Sequence, residues 1–146
     1  MKIAIGSDHA GFELKEILSD HLKDLGHTIE DFGCSGPERA DYPDHAHPLA
    51  QSVQLGQNER GIVICGSGNG INMTVNKYKG IRSALCWDPE LAEMARAHNN
   101  ANVLALPARY ISTEKAMECL LAFLNTAFEG GRHEQRVEKI SSNIDQ

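Results

Sequence analysis

The segment Gly61-Ile62-Val63-Ile64-Cys65-Gly66-Ser67-Gly68-Asn69-Gly70-Ile71-Asn72 joins two contrasting patterns end to end. Its first half is an unbroken apolar, β-branched run, as expected of a strand buried on both faces of a parallel sheet. Its second half places Gly66, Gly68 and Gly70 at alternate positions, with Ser67 and Asn69 between them. Glycines there let the chain turn sharply and present N–H groups with no Cβ in the way, and a helix is expected next. Cys65 therefore stands at the carboxyl end of a central strand, where ligands of open α/β sheets bind. A helix N-terminus beside a thiol favours the thiolate, so Cys65 is a candidate base or nucleophile. The plainer alternative is a small buried hydrophobe, which suits Cys86 and Cys119 better because both sit inside apolar strand and helix patterns.

On either side, strands and helices alternate. Lys2–Gly6 reads as the first strand, followed by the loop Ser7-Asp8-His9-Ala10-Gly11 and a helix from Phe12 to Leu25. In that helix Leu14, Ile17, Leu18, Leu22 and Leu25 recur at spacings of three and four, and Gly26 follows as a natural stop. Thr28–Phe32 is the second strand, and a polar loop leads to a helix from Tyr42 or His45 to Leu55. The central strand is followed by a helix over Asn69–Tyr78, then a strand over Ile81–Cys86. Asp88 caps a helix that starts with Pro89 and runs to about Ala97. Asn102–Leu106 is the fifth strand. A long helix then spans Thr113 to about Phe128, and a charged one spans Arg132 to Ile140. The pattern predicts one domain over 1–146: a three-layer α/β/α, Rossmann-like fold with a five-stranded parallel sheet and a C-terminal helical extension. Residues 141–146 read as a loose tail.

Composition narrows the function. The chain has 146 residues and a net charge of −6, which argues against a broad nucleic-acid or membrane surface. No stretch approaches the roughly 18 apolar residues of a membrane span. The four cysteines are scattered without a CxxC pair, which favours a reducing, cytoplasmic setting over a disulfide framework or zinc knuckle.

The glycine loop lacks both the dinucleotide fingerprint and the Lys-Ser/Thr ending of a P-loop, so it reads instead as an amide cradle for one oxyanion, with Ser67 as a hydroxyl donor. Asp8-His9 ends the first strand on the same sheet edge, although a solvated loop pair would look no different. His45-x-His47 could join Asp8 and His9 in a metal-dependent hydrolase. However, Pro43 and Pro48 break that segment up, and both histidines read better as ordinary helix-entry residues. His98 and Asn99 lie at the opposite sheet edge and resemble a helix C-terminal cap. Arg132 and Arg136, four apart, share one helix face: either a solvated face paired with Glu129, Glu134 or Glu138, or a clamp for a phosphate.

Ser7-Asp8-His9-Ala10-Gly11, Asp41-Tyr42-Pro43, Cys65-Gly66-Ser67-Gly68-Asn69-Gly70, Asn76-Lys77, Gly80-Ile81-Arg82, His98-Asn99 with Asn102-Val103-Leu104, and Glu129-Gly130-Gly131-Arg132-His133 occur in that order. As an ordered set they resemble the family of type B ribose-5-phosphate isomerases and galactose-6-phosphate isomerase subunits. The resemblance implies an aldose–ketose isomerase of the pentose phosphate pathway that acts on a phosphorylated sugar, through a cis-enediolate and without metal or organic cofactor. A six-carbon substrate such as allose or galactose 6-phosphate is the alternative. It further implies that Cys65 is the base between C1 and C2, while Ser67, Gly66 and the amides of Asn69 and Gly70 hold the enediolate oxygens. His98 would open the sugar ring with help from Asp8, and Tyr42 and Asn99 would bind hydroxyls. His9, Arg109, Arg132 and Arg136 would take the phosphate. Some members use a glutamate after the last loop glycine; here that residue is Ile71, so Cys65 carries the burden. Ser67 stands where several members have threonine. The family also implies a homodimer, or a dimer of dimers, in which His98, Asn99 and Arg109 reach the partner's site.

Overall fold

The computed structural model describes residues 1–142 and 144; of the tail expected to be loose, Asn143, Asp145 and Gln146 lie outside the described residues. In chain order the elements are β1 (Lys2–Ser7), α1 (Phe12–Asp24), β2 (Thr28–Asp31), α2 (Tyr42–Gln54), β3 (Arg60–Cys65) and α3 (Asn69–Val75). These are followed by β4 (Ser83–Leu85), α4 (Pro89–Asn99), β5 (Val103–Pro107), α5 (Thr113–Asn125) and α6 (Arg132–Ile140). All strand pairings are parallel, in the order β2-β1-β3-β5-β4. The apolar run of β3 therefore occupies the middle of the sheet, as its composition requires.

Alternation along the strands sorts side chains onto two faces. Ile3, Ile5, Ile62, Ile64, Leu104 and Leu106 pack against Leu18 and Leu22 of α1, Ala92 of α4, and Leu120 and Phe123 of α5. The smaller Ala4, Val63, Cys65, Val103 and Ala105 face Ala46, Leu49 and Ala50 of α2 and Ile71 and Val75 of α3. Each fully buried Ile or Leu contributes about 1.5–3 kcal/mol, so these two layers dominate the stability of the sheet. The same alternation aims the Cys65 side chain toward the α2/α3 face.

Several boundaries move for local reasons. β4 is shorter than the expected Ile81–Cys86 because the Asn102 side chain takes the place of a ladder partner, its Oδ1 accepting from Arg82 N–H at 2.8 Å. α3 stops at Val75 instead of Tyr78. α5 ends at Asn125 instead of Phe128, where Thr126 turns extended and its hydroxyl donates to the Ala122 carbonyl. α4 runs past Ala97 to Asn99 and closes on Asn100 in a left-handed conformation. Pro48 lies inside α2 without breaking it, contrary to the expectation that it would divide the segment.

Candidate active site

β1 connects to β2 on one side of the sheet, whereas β3 leads through β4 and β5 to the other. The strand order thus reverses between β1 and β3, the switch point at which open α/β sheets form their ligand crevice. Parallel register puts Ser7 beside Ile64 and Cys65 beside Pro107. Three loops consequently leave the sheet side by side: one starting at Asp8, one at Gly66 and one at Ala108.

These loops enclose a cleft of about 380 Å³ lined by Asp8, Tyr42, Cys65, Gly66, Ser67, Gly70, Arg109 and Tyr110. Cys65 is 4% exposed, at the floor. Asp8 is 7% exposed, and its Oδ1 accepts from Gly11 N–H at 3.1 Å, which caps a single 3-10 turn over His9–Gly11 and fixes the carboxylate. On the far wall Ser67 Oγ accepts from Asn69 N–H at 3.3 Å, leaving the hydroxyl proton to donate to a ligand. Arg109 folds back over the glycine loop: its N–H donates to the Gly66 carbonyl at 2.9 Å, and its guanidinium lies beside Gly66 Cα. The positive charge therefore faces the same cleft as the thiol.

Two glycines in this loop are sterically required. Gly68 has φ +77°, the left-handed conformation that starts α3. A Cβ on Gly70 would sit 2.5 Å from Tyr42 Cζ, so the tyrosine ring rests directly on the backbone. Gly70→Ala is expected to push Tyr42 out of the cleft and lower kcat/KM about 100-fold with little change in thermal stability. Steady-state kinetics beside a melting curve check this; unchanged kcat/KM would show that the Tyr42 contact is dispensable.

The other expected site residues fall into different places. Asn69 lines an adjoining hollow with Ser67, Leu85, Trp87, Pro107 and Tyr110. His9 lies next to Asp8 in the chain, and its Nδ1 accepts from Ala40 N–H at 3.2 Å, holding the ring against the loop before α2. Within the single chain Arg109 lies beside Gly66 and lines the same cleft as Cys65, apart from the His98 group. Tyr110 was not foreseen. It is 76% exposed and isolated in a loop, so no periodic signal marks it.

His98, Asn99, Arg132 and Arg136 gather at the opposite end of the sheet. His98 and Asn99 form the last turn of α4, just before β5 begins, and α6 packs against α4. Arg96 fastens this corner. Its Nη1 donates to Asn100 Oδ1 and the Ala101 carbonyl, its Nε donates to the Thr126 carbonyl, and burial pushes its pKa down to about 10. Arg132 and Arg136 form no ion pair with Glu129, Glu134 or Glu138 among the described residues; Glu129 faces His98 and His133 instead. β3 is six residues long, and at about 3.3 Å per residue this puts roughly 20 Å between the two groups.

The metal-hydrolase alternative does not assemble. His45 Nδ1 donates to the Phe32 carbonyl at 2.8 Å, while His47 Nδ1 is bonded to Tyr78 Oη at 2.7 Å on another side of α2. Among the described residues, the one group of three or more potential metal ligands is His98, Glu129 and His133. Cys86 and Cys119 are core residues, pushed up to about 12 and about 11, chiefly by burial.

Comparison with known proteins covers nearly the whole chain. The model of the ribose/galactose isomerase family matches residues 3–140. Ribose-5-phosphate isomerase B of Escherichia coli is 44% identical over 97% of this chain and 95% of its own length. The structure of ribose-5-phosphate isomerase B from Clostridium thermocellum superposes with a TM-score of 0.95 at 47% identity, covering 96% of this chain and 95% of that one. The Mycoplasma genitalium enzyme, solved with bound ribulose-5-phosphate, superposes with a TM-score of 0.91 at 41% identity, covering 95% and 93%.

Proposed function

The chain belongs to the ribose/galactose isomerase family, and on that premise we propose that it interconverts ribose 5-phosphate and ribulose 5-phosphate. One observation carries the reading: at the switch point, a thiol, a carboxylate, a hydroxyl-and-amide cradle and an arginine converge on one cleft. An aldose–ketose isomerisation needs a base for the carbon-bound proton and fixed donors where negative charge develops. Cys65, as thiolate, takes the C2 proton of the open-chain aldose. The C–H electron pair forms the C1–C2 double bond, and charge moves onto O1. Ser67 and the amides of the Gly66–Gly70 loop stabilise the cis-enediolate. The thiol then returns the proton to C1 while the hydroxyl proton passes from O2 to O1, giving the ketose.

Ring opening and phosphate capture need groups that the cleft of one chain lacks. With His98 and Asn99 about a strand length away, a second copy of the chain supplies them, together with Arg132 and Arg136, to complete a site whose own chain contributes Asp8, His9, Tyr42, Cys65 and Arg109. A homodimer, or a dimer of dimers, is the assembly this reading requires. The four free thiols suit a reducing compartment, and we place the enzyme in the cytoplasm, in the pentose phosphate pathway.

The experiment for this reading is a comparison of kcat/KM for ribose 5-phosphate, allose 6-phosphate and galactose 6-phosphate. The pentose phosphate is expected to rank first; a hexose phosphate ranking clearly above it would reassign the substrate. Because one extra carbon shifts affinity modestly, a difference of about 10- to 100-fold is expected. In the same assays Arg136→Ala should raise KM about 10-fold or more with a smaller effect on kcat, since losing a charge-assisted phosphate contact removes binding common to ground and transition states. An unchanged KM would remove Arg136 from the phosphate site.

A further inference from the structure

We infer that Glu129 and His133 are positioning residues for the sugar-ring-opening step, holding His98 with one ring nitrogen committed to the protein and the other presented to the substrate. The inference rests on the reading of His98 as the ring-opening group. His98 stands in the last turn of α4 with its side chain 38% exposed, and an imidazole there has no packing of its own to select one rotamer.

Two neighbours supply what is missing. The His133 ring lies flat against it, with centroids 4.2 Å apart and planes inclined by 12°. The Glu129 carboxylate spans both rings, with Oε2 at 3.6 Å from His98 Nε2 and Oε1 at 3.8 Å from His133 Nε2. These neighbours are themselves fixed. Glu129 N–H donates to the Ala97 carbonyl at 3.0 Å, tying the segment before α6 to the α4 turn that carries His98. Gly130 and Gly131, with φ of +68° and +54°, reverse the chain so that α6 begins beside it, and His133 N–H donates to the Gly130 carbonyl at 3.0 Å.

His133 is almost wholly buried, so it is a support and not a contact for the sugar. Burial, then His98 and Arg132, hold its pKa below the ordinary histidine value, which keeps it a neutral stacking partner. A carboxylate facing His98 Nε2 favours the tautomer with the proton on that nitrogen. Nδ1 is then free to take the anomeric hydroxyl proton as the C1=O1 bond forms and the ring C1–O4 bond breaks; Glu129 offsets the imidazolium charge while His98 returns that proton to O4, which becomes the open-chain hydroxyl. The same three side chains could suggest a divalent cation. Arg132 and Arg136, which help depress His133, also repel a cation there.

Glu129→Gln, at a half-exposed position where misfolding is not expected, and His133→Ala test the inference. Two quantities are read for each: kcat on ribose 5-phosphate, and the Kd of an open-chain hydroxamate analogue of the enediolate that carries the terminal phosphate. The analogue needs the base, the cradle and the arginines but no ring opening. The expected result is a kcat loss of about 10- to 100-fold with a Kd within about twofold of the unmodified enzyme. Unchanged kcat in Glu129→Gln overturns the inference, as does a parallel loss of analogue binding, which would mean that α6 and its arginines had simply moved. His98→Ala separates the premise from the inference. If it keeps kcat, the ring-opening assignment itself fails; if it loses kcat while Glu129→Gln and His133→Ala do not, only the positioning role fails.

Discussion

Cys65→Ser is expected to fold normally and to lose nearly all turnover, a fall in kcat of about 10³-fold or more with KM little changed. The substitution exchanges one small atom for another at a buried position whose backbone bonds belong to the β3 ladder, so neither packing nor register is disturbed. What changes is basicity: a serine hydroxyl is scarcely ionised near neutral pH, whereas a thiol supplies a working fraction of anion. Of the other thiols, Cys34 is buried, donates its S–H to the Gly36 carbonyl at 3.3 Å and does not line the cleft. Cys86 and Cys119 lie in the core on the α1/α4/α5 side and are driven far from ionisation by burial. Circular dichroism and a melting curve establish folding, and a coupled assay gives kcat. Near-normal kcat would remove Cys65 from the proton transfer.

The second large effect is recovery. Cys65→Ala and His98→Ala should each be almost inactive alone, yet unfolding and refolding them together should restore about a quarter of the unmodified activity. Under two-fold symmetry with shared sites, random mixing makes half of the dimers hybrid, and each hybrid has one site carrying both defects and one carrying neither. The expectation follows from the distance between the two residues, which a single chain cannot bridge for a ligand the size of a pentose phosphate. Differently tagged subunits would verify that hybrids formed. Verified hybrids with no recovery would mean that His98 does not serve a partner's Cys65.

The fold was legible where hydrophobic periodicity is strong. The β-branched run ending at Cys65 and the i, i+4 leucines of α1 read directly as a central strand and an amphipathic helix. Boundaries were less legible where a side chain replaces a backbone partner, as Asn102 does at the start of β4 and Thr126 at the end of α5. Pro48 could not be judged from the sequence because α2 tolerates this half-buried proline in its interior despite the missing donor. Placing Asp8 and Cys65 on one sheet edge needed only the rule that parallel strands end together. Arg109 needed more: nothing in the sequence shows that the loop after β5 returns over Gly66. The His98–Glu129–His133 cluster was equally hidden, since it depends on how two helices cross, and Tyr110 carries no pattern at all.

The most direct test of the account is conversion of ribose 5-phosphate to ribulose 5-phosphate by the purified chain in EDTA, with and without iodoacetamide, while peptide mass spectrometry follows modification of Cys65. Rapid turnover that EDTA leaves intact is expected, with loss of activity in step with alkylation of Cys65, both slowed by substrate. Full turnover by protein completely alkylated at Cys65 would contradict it.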